Sequence, residues 1–313
     1  TGNNISVWDV ANPASPRFVT STTQGQLTRA YVLEVKGNYL YAVNVATGGS
    51  LSIYDISDPT QIRFTGSAPT SKNQPSWGIG YDLAVSGRYA YIVGNNSFTN
   101  AGMLTVIDIS DPNRPSAVAE AEGTSSLIVL SIAVQGKYAY LGTNVNTSGF
   151  KIFDISNPGS PTLVTTIANG DGGAVLNSAY DVFVAGNYAY LANYNSGANG
   201  SLEIIDVTSS TAPVHAAVLR NGQGGAQLTG PIGITGQGNY LYMTDYSMGA
   251  LEVIDIGGLS ANAADIGSAK IGNLQVMNSA LFDNGVVIRN GLSVGNNGLS
   301  IVGDFGMSFP TTS

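Results

Sequence analysis

The segment LSIYDISDP, residues 51–59, returns with small changes as LTVIDISDP at 104–112 and as FKIFDISNP at 150–158. In each copy apolar residues alternate with other residues, which is the pattern of a β-strand, and a proline closes the run. An aspartate in this position can accept backbone N–H bonds within a turn, and a proline cannot continue the strand ladder. We therefore predict that Asp55, Asp108 and Asp154 are turn residues between two strands and are not catalytic acids.

A second string precedes this aspartate position in five places. It reads KGNYLY ending at Tyr41, SGRYAY at Tyr91, QGKYAY at Tyr140, AGNYAY at Tyr190 and QGNYLY at Tyr242. Its glycines, at 37, 87, 136, 186 and 238, are 50, 49, 50 and 52 residues apart. Glycine beside a polar residue suits a two-residue hairpin turn. Each unit of about fifty residues then holds four short strands, named A to D in chain order, which predicts the blades of a β-propeller.

The two strings together resemble the LVIVD-repeat propeller family, whose blades carry V-x-G-N-Y-A-Y followed by L-x-I-I-D-I-S-D-P. The resemblance covers residues 1–256 and implies an all-β propeller of four-stranded blades, while it implies little about activity. Five blades are preferred, with the N-terminal strand PRFVTST (16–22) completing the last blade. In the alternative, ISVWDV (5–10) and PRFVTST belong to a sixth blade, and residue 1 falls inside one of its loops.

The composition argues against several classes of function. The 313-residue chain has 12 Lys and Arg against 20 Asp and Glu, so we expect no nucleic-acid partner. It has no Cys and one His, which excludes thiolate metal sites and sites built from several histidines. It contains no apolar run of about 18 residues, and we expect no membrane span. No pattern indicates a cofactor.

We divide the chain into an LVIVD-type propeller, residues 1–259, and a C-terminal segment, residues 260–313. In the second segment, short apolar stretches such as LQV, VVI and LSIV are separated by Gly and Asn. Stretches this short cannot form a stable hairpin alone. The segment resembles, in general style, stalk regions of trimeric surface or phage-tail fibre proteins. Its short apolar stretches also fit the rungs of a β-solenoid, so a β-stalk and a solenoid-like segment are both open. We expect residues from about 262 onward to mediate self-association, as a trimer; the alternatives are a dimer or docking of the segment onto the propeller.

The candidate binding residues lie on one predicted face of the propeller. The D–A and B–C loops share that face and are long and variable, over residues 44–50, 69–81, 95–102, 169–180 and 193–200. We predict that a protein or carbohydrate surface binds there. The predicted contact residues are Tyr31, Trp77, Tyr81, Asp82, Tyr180, Asp181, Tyr194 and Tyr246. In the alternative, the tyrosines pack between blades.

The expected function is a non-catalytic binding or structural module of the extracellular space or cell surface. It would be a propeller head on a fibrous stalk, serving in adhesion or in a fibre or filament. The alternative is a propeller hydrolase or lyase that acts on glycans through Asp82 and Asp181. Against the alternative, the other blades carry Val32, Ile132 and Gly233 near that position.

Two further residues, Asp171 and His215, belong to types that can bind metal or act in catalysis. Asp171 in NGDGG (169–173) is a candidate for holding Ca²⁺ through oxygen atoms, although the spaced carboxylates of a calcium loop are missing. His215 follows Pro213 and enters a D strand, where we expect it to be an ordinary polar strand residue.

Overall fold

The structure is a computed structural model that describes residues 4–256 except 26, 28, 46–47, 73–77, 97–100, 123–127, 145–148 and 196–198. The described residues form β-strands and two short 3₁₀ turns, Asp171–Gly173 and Gln223–Gly225. The strands, in chain order, are β1 (Ile5–Asp9), β2 (Arg17–Thr22), β3 (Ala30–Lys36), β4 (Tyr39–Asn44), β5 (Ser50–Asp55), β6 (Arg63–Pro69), β7 (Gly78–Ser86), β8 (Tyr89–Asn96), β9 (Gly102–Asp108), β10 (Ser116–Glu122), β11 (Val129–Gln135), β12 (Tyr138–Thr143), β13 (Phe150–Asp154), β14 (Thr162–Ile167), β15 (Ala179–Ala185), β16 (Tyr188–Asn193), β17 (Ser201–Asp206), β18 (Val214–Arg220), β19 (Pro231–Gln237), β20 (Tyr240–Asp245) and β21 (Ala250–Asp255).

The strands build a five-bladed β-propeller, which confirms the predicted fold class. Four blades, β3–β6, β7–β10, β11–β14 and β15–β18, are four-stranded antiparallel sheets in the order A-B-C-D. The fifth blade consists of the three strands β19–β21. Strand A of each of the first four blades packs against strand A of the blade that follows it, so the A strands lie innermost and line the channel.

The hairpin between strands A and B turns at the glycines found in the sequence. Gly87 has φ +58° and Gly186 has φ +59°, a left-handed conformation that glycine adopts without the steric cost of a Cβ atom. This local requirement is the physical reason why the glycine recurs in every blade.

The turn between strands C and D is held by the recurring aspartate. The Oδ1 atom of Asp55 accepts a hydrogen bond of 2.8 Å from the Ser57 N–H. The same bond is 2.9 Å long from Ser110 to Asp108. Asp154 repeats the bond with the residue two positions after it. The prediction that these aspartates are turn residues is confirmed.

The hydrophobic core consists of layers between consecutive blades. Between the second and third blades, Tyr91 and Val93 of strand B pack with Ile132 of the next strand A and with Leu141. The other interfaces repeat this arrangement. Since the second, third and fourth blades bury both faces against their neighbours, the alternation of apolar residues in strands A, B and C stabilises the stack of blades.

The N-terminal strands differ from the preferred prediction. β2 pairs with β1 in a separate two-stranded sheet, and no described strand pairs with the outer edge of β21. The interpretation in which β2 completes the fifth blade is therefore wrong. Ile5 and Val7 of β1 instead pack with Leu40 and Tyr54 of the first blade. This contact removes apolar side chains of both elements from water.

The chain separates into two units, Thr1–Leu259 and Ser260–Ser313. The predicted stalk lies in the second unit, outside the described residues, and its trimer remains a prediction. Among the described residues, no helix has the length and apolar character needed to cross a membrane.

Candidate functional site

A β-bulge interrupts the pairing of every innermost strand at the same place. In β7 the register with β8 shifts between Gly80 and Asp82, which leaves Tyr81 without a Cα partner. The same shift in the other A strands leaves one residue unpaired in each blade: Tyr31, Leu130, Tyr180 and Ile232. Because a bulge turns its extra residue away from the regular alternation, these five side chains can point to one place.

The five bulge residues meet at a cleft of about 240 Å³ at the mouth of the channel. The cleft is lined by Tyr31, Tyr81, Asp82, Leu130, Ser131, Tyr180, Asp181 and Ile232. Its volume is somewhat below the roughly 300 Å³ at which pockets for whole drug-sized ligands begin. It therefore suits one sugar ring or one side chain of a larger ligand.

Two tyrosine pairs form the aromatic rim of this cleft. The rings of Tyr31 and Tyr81 make an edge contact with centroids 6.3 Å apart, across the boundary between the first and second blades. Tyr180 contacts Tyr194 of the same blade at 5.3 Å. The Tyr31 side chain is 67% exposed, so the rim is open to a ligand. The interpretation that all these tyrosines are interior packing residues is not supported for Tyr31.

Two carboxylates lie behind the rim, and each links neighbouring blades. Asp82 accepts a hydrogen bond of 2.8 Å from the Ile132 N–H of the next blade through Oδ2, and it accepts the Leu83 N–H through Oδ1. Asp181 accepts the Ile234 N–H at 2.7 Å and the Val182 N–H at 2.8 Å. Each carboxylate thus joins the innermost strands of two blades.

A third carboxylate makes a similar link deeper in the channel. Glu34 of the first blade accepts a 2.8 Å bond from the Val85 N–H of the second blade. Burial raises the pKa of Glu34 above its ordinary value, while the bond from Val85 opposes the rise. The link therefore recurs in three of the five blades, which indicates a structural role.

Burial also controls the ionisation of the two mouth carboxylates. Loss of water raises the pKa of Asp82 to about 7, and the negative charge of Asp181 adds to this rise. Loss of water raises the pKa of Asp181 to about 6, against the lowering effect of its two backbone bonds. Near neutral pH, both groups can therefore exchange a proton with a ligand or with water.

The predicted site residues have different outcomes. Tyr31, Tyr81, Asp82, Tyr180 and Asp181 lie together at the cleft, and Tyr194 supports Tyr180. Tyr246 lies in the loop after β20, is largely exposed and is not among the lining residues. Trp77 lies outside the described residues.

Leu130, Ser131 and Ile232 line the cleft but were not predicted. Ser131, and not Ile132, occupies the position of Asp82 in the third blade, because the bulge shifts the pairing there to Ser131 with Gly142. Aligning the first residues of all five A strands could have identified this position. The Ser131 hydroxyl is buried without a hydrogen-bond partner.

His215 lies in strand D, β18, as predicted, but its contact with a buried carboxylate was not predicted. Its Nδ1 atom lies 2.5 Å from Oε1 of Glu203, a carboxylate with no solvent exposure. The other oxygen of Glu203 accepts a 3.0 Å bond from the Val175 N–H in the loop that follows the third blade. Burial raises the pKa of Glu203, and the bond to His215 opposes the rise. The pair fastens this loop to the fourth blade.

Asp171 holds its own turn through a hydrogen bond that needs a side-chain acceptor but no negative charge. Its Oδ2 atom accepts the Ala168 N–H at 2.8 Å within the loop. In the matching loop of the next blade, Gln223 accepts the Arg220 N–H at 2.7 Å. A neutral amide therefore replaces the carboxylate in the same turn. No group of three or more potential metal ligands occurs among the described residues.

Comparison with known proteins identifies the repeat. A family model described as the LVIVD repeat matches residues 29–70, 78–121, 128–168 and 177–217, one match in each four-stranded blade and together more than half of the chain. No curated protein matches the chain.

Solved structures resemble this chain at low sequence identity. A chain of the nidogen–laminin complex is 11% identical with a TM-score of 0.50, over 79% of this chain and 82% of that chain. A functionally unknown protein from Desulfotomaculum acetoxidans is 12% identical with a TM-score of 0.46, over 82% and 90%. A protein from Bacteroides uniformis described as a candidate 6-phosphogluconolactonase is 15% identical with a TM-score of 0.44, over 77% and 89%. At these identities the likeness concerns the fold alone.

Proposed function

The chain belongs to the LVIVD repeat family, and from this premise we propose that it is a non-catalytic module that binds carbohydrate at its channel mouth. The observation that carries the proposal is the cleft built from the five bulge residues, with the exposed tyrosines Tyr31 and Tyr180 on its rim. Tyrosine presents a flat apolar ring together with a hydroxyl group, and the two suit the faces and hydroxyls of a sugar.

The charge of the protein narrows the class of carbohydrate. The net charge is −8, and Asp82 and Asp181 lie directly at the cleft. An acidic glycan would be repelled by these groups, whereas the hydroxyls of a neutral glycan can donate hydrogen bonds to them. The proposed ligand is therefore a neutral glycan that inserts one ring into the cleft.

The proposal is tested by screening the full chain on a glycan array and measuring hits by calorimetry. We expect Tyr31→Ala and Tyr180→Ala each to weaken binding at least tenfold. Tyr240→Ala is the matched control, because Tyr240 is a part-exposed tyrosine that follows the hairpin turn on the opposite face. Failure to bind any neutral glycan, or an equal loss in the Tyr240 variant, contradicts the proposal. Binding of a protein partner through the same tyrosines would replace carbohydrate by protein as the ligand.

A second candidate is a glycan hydrolase or lyase, which is favoured by the pKa of Asp82 near 7. A carboxyl group with a raised pKa can act as a general acid. Against this role, both oxygens of Asp82 already accept backbone N–H bonds, one from Leu83 of the same strand and one from Ile132 of the next blade. Turnover of a polysaccharide that disappears in folded Asp82→Asn and Asp181→Asn variants would favour the enzyme.

The proposed location is the extracellular space or cell surface, where the module would act in adhesion or in a fibre. Its support is a composition with 10% charged residues, in which uncharged polar residues supply most of the polarity. Antibody labelling of intact producing cells tests this location.

The proposed self-association through residues from about 262 onward rests on their short apolar stretches. Light scattering compares the full chain with a version ending near Leu259. A trimer is expected only for the full chain, and two monomers at micromolar concentration contradict the proposal.

A further inference from the structure

A turn of the fifth blade holds two large side chains in solvent. β20 ends at Asp245, and the residues that follow it include Tyr246, which is 75% exposed, and Met248, which is 56% exposed. Neither residue lines the cleft at the channel mouth. Single exposed apolar side chains are common on protein surfaces, so exposure alone indicates no function.

A buried carboxylate fixes the conformation of this turn. Asp245 is 3% exposed, and its Oδ2 atom accepts a hydrogen bond of 2.6 Å from the Gly230 N–H. Its Oδ1 atom accepts a bond of 2.8 Å from the Met248 N–H. The two bonds hold the backbone on both sides of Tyr246. A ligand that contacts the Tyr246 ring therefore meets a backbone that is already ordered, which lowers the entropy cost of binding.

Tyr246 has the same place in the fifth blade as Tyr194 has in the fourth. The Tyr194 N–H donates to the Ser178 carbonyl at 2.9 Å, and the Tyr246 N–H donates to the Gly230 carbonyl at 2.9 Å. Each acceptor precedes the bulge residue of its blade by two positions. Both tyrosines therefore follow strand B beside the residue that their blade contributes to the cleft.

The two tyrosines differ in what covers their rings. The Tyr194 ring packs against Tyr180 of the cleft at 5.3 Å. It also lies against Gly230, where an added Cβ atom would be 3.1 Å from the ring. Tyr246 has the aliphatic bulge residue Ile232 in place of Tyr180, and it remains exposed. A continuous set of contacts thus leads from the cleft through Tyr194 and Gly230 to Tyr246.

We propose that Tyr246 is a second aromatic contact for the ligand of the channel mouth, and that this ligand is a neutral oligosaccharide of at least two rings. The inference rests on the proposed function. The cleft of about 240 Å³ suits one sugar ring, so the next ring of the same chain lies outside it. On the side of the fifth blade, the surface next to the cleft carries Tyr246, whose ring can stack on the apolar face of that sugar.

The carboxylate below the turn is not itself a contact for the ligand. Both oxygens of Asp245 accept backbone N–H bonds, and the side chain is buried. The contact is therefore expected from the face of the Tyr246 ring. A monosaccharide, which occupies the cleft alone, should not sense this ring.

The test measures binding of the full chain to glucose, mannose, galactose and xylose and to their linear oligomers of two to four units, by calorimetry and NMR titration. For a sugar that binds, the oligomers should bind about tenfold more tightly than the monosaccharide. Tyr246→Ala should remove this gain and leave monosaccharide binding unchanged, and since the side chain is exposed the variant should fold. Tyr246→Phe should keep the gain, because it retains the face of the ring.

Two further variants separate this inference from the proposed function. Tyr31→Ala should weaken the binding of monosaccharides and oligomers alike, because Tyr31 lies at the cleft. Tyr240→Ala, on the opposite face, should change neither. If no neutral sugar of any length binds, the proposed function fails and this inference fails with it. If sugars bind through Tyr31 but longer ones gain nothing, or keep their gain in Tyr246→Ala, the proposed function stands and this inference is overturned.

Discussion

Asp82 and Ile132 lie 50 residues apart in the chain, and the Asp82 carboxylate accepts a hydrogen bond of 2.8 Å from the Ile132 N–H across the boundary of two blades. The bond holds two innermost strands at a fixed height relative to each other. It also places a carboxylate where water is largely excluded, which disfavours its charged form and raises its pKa. The environment of the Asp82 carboxylate therefore affects both the geometry of the channel mouth and the pH dependence of the protein's stability.

The first prediction concerns this pH dependence. The pKa of Asp82 is raised from 3.8 to about 7 in the folded protein, so between these values the folded state binds more protons than the unfolded state. The contribution of Asp82 to the free energy of unfolding is therefore complete below pH 4 and is lost as the pH rises through 7, by about 4 kcal/mol at most. Urea unfolding at pH 5 and pH 8 measures the difference.

Two variants of the protein distinguish the effect of Asp82 on the pH dependence of stability from that of other carboxylates. Asp82→Asn should make the decrease between pH 5 and pH 8 smaller, while Asp181, whose pKa is raised to about 6, still contributes to it. The variant should also lower stability at pH 5, because its amide cannot accept both N–H bonds. The control is Asp108→Asn, because the bond with Ser110 holds the pKa of Asp108 below its ordinary value and that group titrates at lower pH. An unchanged slope in Asp82→Asn would contradict the assignment.

The second prediction concerns the turn between strands C and D. Asp108 accepts the Ser110 N–H and pairs with Arg88 at 2.9 Å. Asp108→Ala removes both contacts and should cost about 1 kcal/mol in the free energy of unfolding, as the loss of a capping residue does. Asp108→Asn keeps an acceptor for the Ser110 N–H and loses only the exposed ion pair, so it should cost about 0.5 kcal/mol or less. Equal losses in the two variants would show that the ion pair, and not the turn, is stabilising.

The sequence predicts the features that each blade determines locally. A glycine with positive φ and an aspartate that bonds the N–H two residues later recur in the blades, because both depend only on neighbouring residues. The residues that line the cleft are those of strand A that the bulge leaves unpaired. Which residue is unpaired is set by the register of strand A with strand B. The tyrosines were recognised by their residue type, whereas Leu130 and Ile232 have an unremarkable type and were found only from the register.

Contacts between strands that are far apart in the sequence could not be predicted from neighbouring residues. The position of β1 depends on which apolar face is free to receive it, and the fifth and first blades both have one. The pairing of His215 with Glu203 depends on the register of β17 with β18, which shifts between Ile204 and Ile205. A single histidine in a strand pattern carries no sign of such a partner.

The third prediction concerns the close approach of two strands beside the cleft. A Cβ atom on Gly94 would lie 1.7 Å from the Ile79 carbonyl oxygen, which is backbone and cannot rotate away. Gly94→Ala should therefore cost about 3 kcal/mol or more in the free energy of unfolding. Gly87→Ala is the control, since its Cβ would meet no atom within 4 Å and only its φ of +58° is unfavourable; it should cost about 1 kcal/mol. Chemical denaturation measures both, and similar losses would contradict the close approach.

The last prediction concerns Glu203, whose buried carboxylate bonds both His215 and the Val175 N–H. Glu203→Ala leaves these two groups without their partner in a site that excludes water, and should cost about 3 kcal/mol in the free energy of unfolding. Glu203→Gln should cost less, because the amide oxygen can accept the Val175 N–H while the amide nitrogen can donate to the His215 ring. Glu252→Ala is the matched control: Glu252 accepts the Gln227 N–H of the corresponding loop at 3.0 Å, has no histidine among its described partners and is only half-buried. Glu252→Ala should lower the free energy of unfolding by about 1 kcal/mol.

Hydrogen exchange gives a second measurement. The Val175 amide should exchange faster in Glu203→Ala and at an unchanged rate in Glu252→Ala. Equal losses of stability in the two alanine variants would show that the pair of Glu203 with His215 does not fasten the loop to the fourth blade.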